Sequence, residues 1–476
     1  MWPKAGLATM PGVNEHKILR PLLLLASLFF VWGFLTSMND ILIPHFKEVF
    51  ELTHFTAMLV QFAFFGAYFV GSVAYLVISV KWSDPIARIG YQRGAVLGLM
   101  LSGLGTLLFL PASTFESYGL FLSGLFVLGL GFTLLQISAN PYVTVLGPER
   151  TASARLNLCQ GFNSLGTTLG PLVGGGLILE YVSDSGLSGT AAVRGPYTVF
   201  AALLFALAVF MALARMPRIV PPGTIQRGFG ALRYPHTVRG ILAIFLYVGA
   251  EVSVGSILIS YLATDGMGAI PKERASVFVS IYWGGLMIGR FLGSVVLGNA
   301  RGTSRLLALL GIPVAGFFFL VFTTSQARGA AFGETLSLFL PYSLLLVLNL
   351  LAFVLGASRA GRTTGIFALL AAALLTLPIL TSGPLALWAV VGLGLFNSIM
   401  WSNIFSLAIE GLGERKSQAS SLLVMAIVGG AILPPAQVAL ADTSGVPVSF
   451  VIPLVAYAYI AYYGFRGHRP AQVVHE

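Results

Sequence analysis

The strongest constraint is a run of fourteen apolar stretches, from 21–44 at one end to 445–466 at the other. Each is close to the roughly 20 residues that cross a bilayer as a helix. They are continuous, with no period of two, so each backbone must satisfy its hydrogen bonds inside its own helix rather than in a barrel. Charged residues make up only 9% of the chain and hydrophobic ones 57%, against about 25% charged in a soluble domain. A soluble enzyme, a nucleic-acid binder, a disordered chain and a disulfide scaffold are therefore disfavoured. Cys159 has no partner cysteine in the chain. The stretch at 21–44 lacks a small-residue cleavage site and is read as a true span rather than a signal peptide. The expected fold class is all-α: a polytopic membrane protein of 14 spans.

Charge orients the spans. Of the 27 Lys and Arg residues, 21 fall on the side of the N-terminus, five on the other side, and Arg290 within a span. Basic residues favour the cytoplasmic side. Both termini are thus expected in the cytoplasm of a plasma membrane, the inner membrane of a bacterium. The same rule accounts for the net charge of +10 without any nucleic acid. The longest polar interruption, rich in Pro and Arg, divides the chain into a six-helix half at 1–216, a cytoplasmic linker at 217–237 and a second half at 238–476. The second half holds eight spans, with an expected two-helix insertion at about 304–357. Because two extra spans preserve parity, everything downstream keeps its orientation.

Charge inside a span is costly and marks function by default. Asp40 and Glu251 lie in the opening spans of the two halves. Each is a candidate for binding sugar hydroxyls and for coupling to a proton or a sodium ion, since hard cations favour oxygen ligands. The plainer alternative for each is a structural pair or cap. Arg290 lies nearer a span end and is read as structural, snorkelling to the interface or pairing there. Glu180 and Glu410 are close enough to span ends to reach water.

Amides and aromatics form the remaining clusters. Gln136 and Asn140 are four apart and share a helix face, next to Pro141, which is expected to break the backbone ladder. Gln160 and Asn163 share a face of the next span. Tyr282 and Trp283 sit mid-span, as do Asn397, Trp401 and Asn403. Amides donate and accept, which suits a neutral polyol, while aromatic faces stack on sugar rings. Packing between helices is the alternative for any one of them. Gln61 is a weaker candidate. The sequence has no nucleophile elbow, no His/Cys cluster and no phosphate-cradling loop. No enzyme activity, no cofactor, no ATP-driven pump and no resident metal is expected, apart from Na+ at Asp40 or Glu251.

Several longer strings carry a resemblance: Asn39-Asp40 followed by Leu42-Ile43-Pro44-His45, Ala139-Asn140-Pro141-Tyr142, Arg155-Leu156-Asn157-Leu158, Phe162-Asn163-Ser164-Leu165-Gly166, Tyr247-Val248-Gly249-Ala250-Glu251 and Phe396-Asn397-Ser398-Ile399-Met400. Together they resemble the fucose–galactose–glucose:cation symporter family of the major facilitator superfamily. The resemblance implies alternating access around a central site between two halves. In the fucose branch an aspartate and a glutamate of the first half carry proton coupling and sugar binding. The aspartate matches Asp40, but the glutamate position is Gln136 here. A further asparagine of that branch matches Asn163. Glu251 resembles the glucose/galactose branch, where the fucose branch is expected to hold glutamine. The usual Phe-Pro-Thr is replaced by Trp401-Ser402-Asn403, and the superfamily's basic loop motif survives only in degenerate form at Asp84 to Arg93. The segment 304–357 has no counterpart in the twelve-span plan and is expected to add two peripheral helices.

The resulting expectation is a secondary active importer of a hexose, glucose or galactose first, coupled to H+ or Na+. It would act as a monomer in membrane lipid, with a small sugar as its substrate. A passive hexose uniporter, an L-fucose:H+ symporter, a transporter-like nutrient sensor and a cationic-drug exporter are the alternatives.

Overall fold

The computed structural model describes residues 15–52, 54–170, 189–217, 219 and 228–470. Thirteen helical stretches among them are long and apolar enough to cross a membrane. The expected span at 155–181 appears as one further helix, Ala152–Leu169. Its expected continuation, with Glu180, lies outside the described residues. Its Asn, Gln, Ser and Thr side chains keep it less apolar than its neighbours.

The first group of helices comprises α1 (Glu15–Val49), α2 (His54–Lys81), α3 (Tyr91–Leu107), α4 (Tyr118–Val145), α5 (Ala152–Leu169) and α6 (Arg194–Leu213). The second comprises α7 (Pro235–Leu262), α8 (Lys272–Val296), α9 (Gly302–Arg328), α10 (Phe332–Gly356), α11 (Ala360–Leu380), α12 (Pro384–Asn397), α13 (Met400–Ala408), α14 (Lys416–Met425), α15 (Gly429–Ser444) and α16 (Val451–Tyr462). The pairings repeat. In the first group α1 packs on α5, α2 on α4, and α3 on α4 and α6. In the second α7 packs on α15, α8 on α12, and α11 on α12 and α16. This is the arrangement of a parallel repeat, and α9 and α10 are additional to it.

Glycine makes the repeated contacts close. A Cβ at Gly166 of α5 would stand 2.2 Å from the Phe30 carbonyl oxygen of α1. In the matching pair, one at Gly429 of α15 would stand 2.0 Å from the Phe245 carbonyl oxygen of α7. Without water, helices associate through such backbone approach rather than through hydrophobic exclusion. Outside the added hairpin the groups meet along α5 and α8, and along α2 and α14. Pro141 does not end its helix, since α4 runs on to Val145. The expected break falls elsewhere, at Ser398–Ile399, between α12 and α13.

Candidate functional site

A cavity of about 1410 Å³ lies between the two groups. Its walls come from α1, α2, α4 and α5 on one side and from α7, α8, α9, α13 and α15 on the other. Following the chain direction, its lining runs from mid-helix to the ends that carry Arg328 and Asp442. It therefore opens on one face only, the face opposite the starts of α1 and α7.

The other face is sealed by bonds between the groups. Asn157 Nδ2 donates to Asn403 Oδ1 at 3.1 Å, and the Ser153 and Ser406 hydroxyls bond at 2.6 Å. Nearer the surface Glu149 pairs with Lys416 at 3.3 Å and accepts from the Gly411 N–H at 3.1 Å. Gln418 of α14 holds the chain entering the second group. Its Oε1 accepts from the Ala231 N–H at 2.9 Å and its Nε2 donates to the Gly228 carbonyl at 2.8 Å. Asp84 caps the short helix Pro85–Ile89 beside α2. Burial raises its carboxyl above the usual range, and bonds from Tyr75 and the Ala87 and Ile86 N–H groups draw it back.

Six of the expected site residues line the cavity: Gln136, Gln160, Asn163, Glu251, Trp283 and Trp401, and so does Gln61. Three polar atoms among them are buried with no partner in the protein: Gln136 Oε1, Gln160 Nε2 and Trp401 Nε1. Asn163 spends its amide N–H on the Phe29 carbonyl, 3.0 Å away, which leaves its oxygen as an acceptor. An unpaired buried donor or acceptor costs about 1–3 kcal/mol, so a floor carrying three of them is built for a polar guest. Glu251 accepts from the Tyr247 hydroxyl.

Four expected contacts stand behind the wall or below the floor. Tyr282 is fully buried; its hydroxyl donates to the Glu251 carbonyl at 2.9 Å and accepts from Asn397 Nδ2 at 2.8 Å. Asn397 also accepts from the Tyr457 hydroxyl at 2.7 Å. These two residues orient α7 rather than line the cavity. Adjacent helical residues point about 100° apart; Trp283 faces the cavity, whereas Tyr282 turns to the carbonyl of Glu251 and to Asn397. Asn403 is used up in the sealed face, with Nδ2 on Thr364 Oγ1 at 3.1 Å. Asn140 shares the Gln136 face but lies a turn nearer the sealed side, and neither of its amide atoms has a partner. Asp40 belongs to α1, and its side chain lies outside the described residues.

Arg290 departs most from expectation. It does not snorkel, and it is only 7% exposed at the cavity floor. Its Nε donates to the Ser398 carbonyl at 3.1 Å, and its Nη1 to Ser164 Oγ at 2.5 Å and the Gln160 carbonyl at 3.4 Å. The helix break explains this site. Unwinding at Ser398–Ile399 frees the Asn397 and Ser398 carbonyls, which take Tyr247 Oη at 3.2 Å and Arg290 Nε. Irregular backbone inside a membrane is tolerated where such partners satisfy it. Sequence reasoning also missed Trp32, Thr36, Tyr68 and Thr168 on the cavity wall. Trp32 Nε1 bonds the Tyr68 hydroxyl at 3.3 Å. A Trp and a Tyr 36 positions apart give no signal in the sequence that they meet.

Among the described residues no group of three or more His, Cys, Asp or Glu is placed to hold a metal ion.

The pattern of the Major Facilitator Superfamily matches residues 23–435. The chain belongs to that superfamily. It is 40% identical to the glucose/galactose transporter of Brucella abortus over 94% of this chain and 93% of that protein. It is 31% identical to the L-fucose-proton symporter of Escherichia coli K12, over 94% and 93%. A crystal structure of the transporter FucP in the outward conformation superposes with a TM-score of 0.71 at 29% identity, covering 94% of this chain and 98% of that one. The family and the apolar helices make this an integral membrane transporter.

Proposed function

We propose that the chain is a secondary active hexose importer. It takes glucose or galactose by alternating access and couples to H+ or Na+. The observation that carries this reading is the cavity floor. Gln136 Oε1, Gln160 Nε2 and Trp401 Nε1 offer an acceptor and two donors with no protein partner, and the indole of Trp283 lines the same cavity. A neutral polyol satisfies both kinds of group, and a sugar ring presents C–H faces to an aromatic. The resemblance to the Brucella transporter and the carboxylate at Glu251 favour glucose or galactose over fucose. The 21-to-5 distribution of basic residues sets the sealed face and both termini in the cytoplasm. The cavity then faces outward, in the plasma membrane of the cell. One chain encloses the whole path, which suits a monomer.

Coupling falls to Asp40 and Glu251. Glu251 is buried and makes no salt bridge within 4.0 Å among the described residues, although the Arg290 guanidinium stands near enough to act on it as an opposing charge. Closing dehydrated walls around an ionised carboxylate is unfavourable. Binding of a proton or a cation together with sugar removes that penalty and lets the groups rock. In energy-depleted cells, adding glucose, galactose or fucose with and without sodium tests this. Alkalinisation outside with one sugar identifies a proton symporter and its substrate, and uptake that needs sodium identifies a sodium site. Asp40→Asn should keep sugar exchange and lose concentrative uptake. Uptake that needs neither ion, or concentrative uptake by Asp40→Asn, refutes this coupling.

A further inference from the structure

The hairpin of α9 and α10 is more than a lipid-facing addition. Two reciprocal contacts seat α9 on α8: a Cβ at Gly284 would lie 2.3 Å from Leu320, and one at Gly316 would lie 2.5 Å from Ile288. In antiparallel helices the pairs 284/320 and 288/316 fix a single register. One turn nearer the open face, that register sets Thr324 beside Ser280. Both residues line the cavity, together with Thr323, Arg328 and Trp283.

Thr324 is only 6% exposed, yet its hydroxyl has no hydrogen-bond partner among the described residues. Thr323 differs, because its hydroxyl is spent on the Phe319 carbonyl at 3.0 Å and the Leu320 carbonyl at 3.2 Å. The remaining surface of α9 is apolar, with Leu310, Val314 and Phe318 about half exposed, as lipid contact requires. Because the Thr324 hydroxyl opens on the cavity and is not spent on the protein, it is free to donate to or accept from a polar guest there.

We propose that α9 forms part of the sugar's path and that Thr324, with the indole of Trp283, forms an outer subsite for a hexose. The proposal rests on the hexose reading above. The subsite precedes the floor: a sugar hydroxyl bonds Thr324 while a ring face rests on Trp283, before the sugar descends to Gln136 and Gln160.

Thiol labelling tests it. Cys159 is fully buried, so the parent protein is the unlabelled control. Thr324→Cys and Val314→Cys are exposed to a membrane-impermeant, charged methanethiosulfonate from the outside of right-side-out vesicles. Thr324→Cys should react at least about tenfold faster than Val314→Cys. A transported hexose should slow that reaction, and Thr324→Val should raise the apparent KM about fivefold, as loss of one hydrogen bond predicts, with Thr324→Ser at the parent value. Thr324→Cys reacting no faster than Val314→Cys overturns the path. Reaction unaffected by a hexose that the same vesicles accumulate, or an unchanged KM in Thr324→Val, overturns the subsite. If parent vesicles take up no hexose, the functional reading falls instead, and the comparison of the two cysteines still decides the role of α9.

Discussion

Arg290 is the sharpest point at which to perturb alternating access. Its Nε bond to Ser398 lies within the second group, but its Nη1 bonds to Ser164 and Gln160 cross to the first. A hydrogen bond to a charged group contributes about 1.5–3 kcal/mol. The contact with Ser164 is short, and the one with Gln160 at 3.4 Å is weak. Replacing Arg290 with Met keeps apolar bulk and removes both bonds across the interface, which costs closure of the sealed face about 2–3 kcal/mol. At 1.4 kcal/mol per tenfold, the balance moves about 30- to 140-fold toward the state open on that side. Ser406 reports the change. It is 7% exposed and bonded to Ser153 across the interface. In inside-out vesicles, Ser406→Cys should react with an impermeant maleimide at least about tenfold faster when Arg290→Met is also present. Arg290→Lys should fall between, because it keeps the charge without the planar fork. A folded Arg290→Met protein whose Ser406→Cys labels at the parental rate would refute the assignment of Arg290 as one of the bonds that hold the halves closed.

Two further outcomes follow, one from helix packing beside the cavity and one from charge at the sealed face. Gly166→Val forces a side chain against the Phe30 carbonyl and should destabilise the α1–α5 contact by about 1–3 kcal/mol; thermal unfolding in detergent should show a lower Tm, while Gly66→Ala, where a Cβ meets nothing within 4 Å, leaves it unchanged. Glu410 has its carboxyl raised by burial first and then by Glu149, with Lys416 opposing, and its backbone carbonyl bonds His236 Nε2 at 3.0 Å. A raised carboxyl favours the folded, closed state most fully below the ordinary carboxylate range, and that contribution is lost as pH rises through the raised value. The Tm difference between the parent and Glu410→Gln should therefore change with pH in that window, with the parent losing ground as pH rises; a difference independent of pH contradicts the reading.

Much of the site was legible in the sequence. A carboxylate or an amide inside an apolar span is expensive, so Gln136, Gln160, Asn163 and Glu251 stood out, and all four line the cavity. What spacing could not give was depth. Gln136 and Asn140 share a face, yet the cavity ends between them, because the two groups of helices meet there. Asn397 and Trp401 are four apart, yet the helix breaks between them, and Asn397 turns behind the wall to Tyr282 and Tyr457. The same ambiguity misread Arg290. Position along a span suggested an escape to the interface, whereas the carbonyls freed at Ser398–Ile399 supply partners in place.

The sequence by itself determined that the chain lives in a membrane and where its helices lie. Those properties follow from local hydropathy, which each segment carries alone. Only the tertiary structure decided which polar groups keep unspent hydrogen bonds, which face is sealed, and that an added helix reaches the cavity through Gly284 and Gly316. Those depend on partners far apart in the chain, such as Asn157 with Asn403 and Arg290 with Ser164. No periodicity in either segment encodes the distance between them.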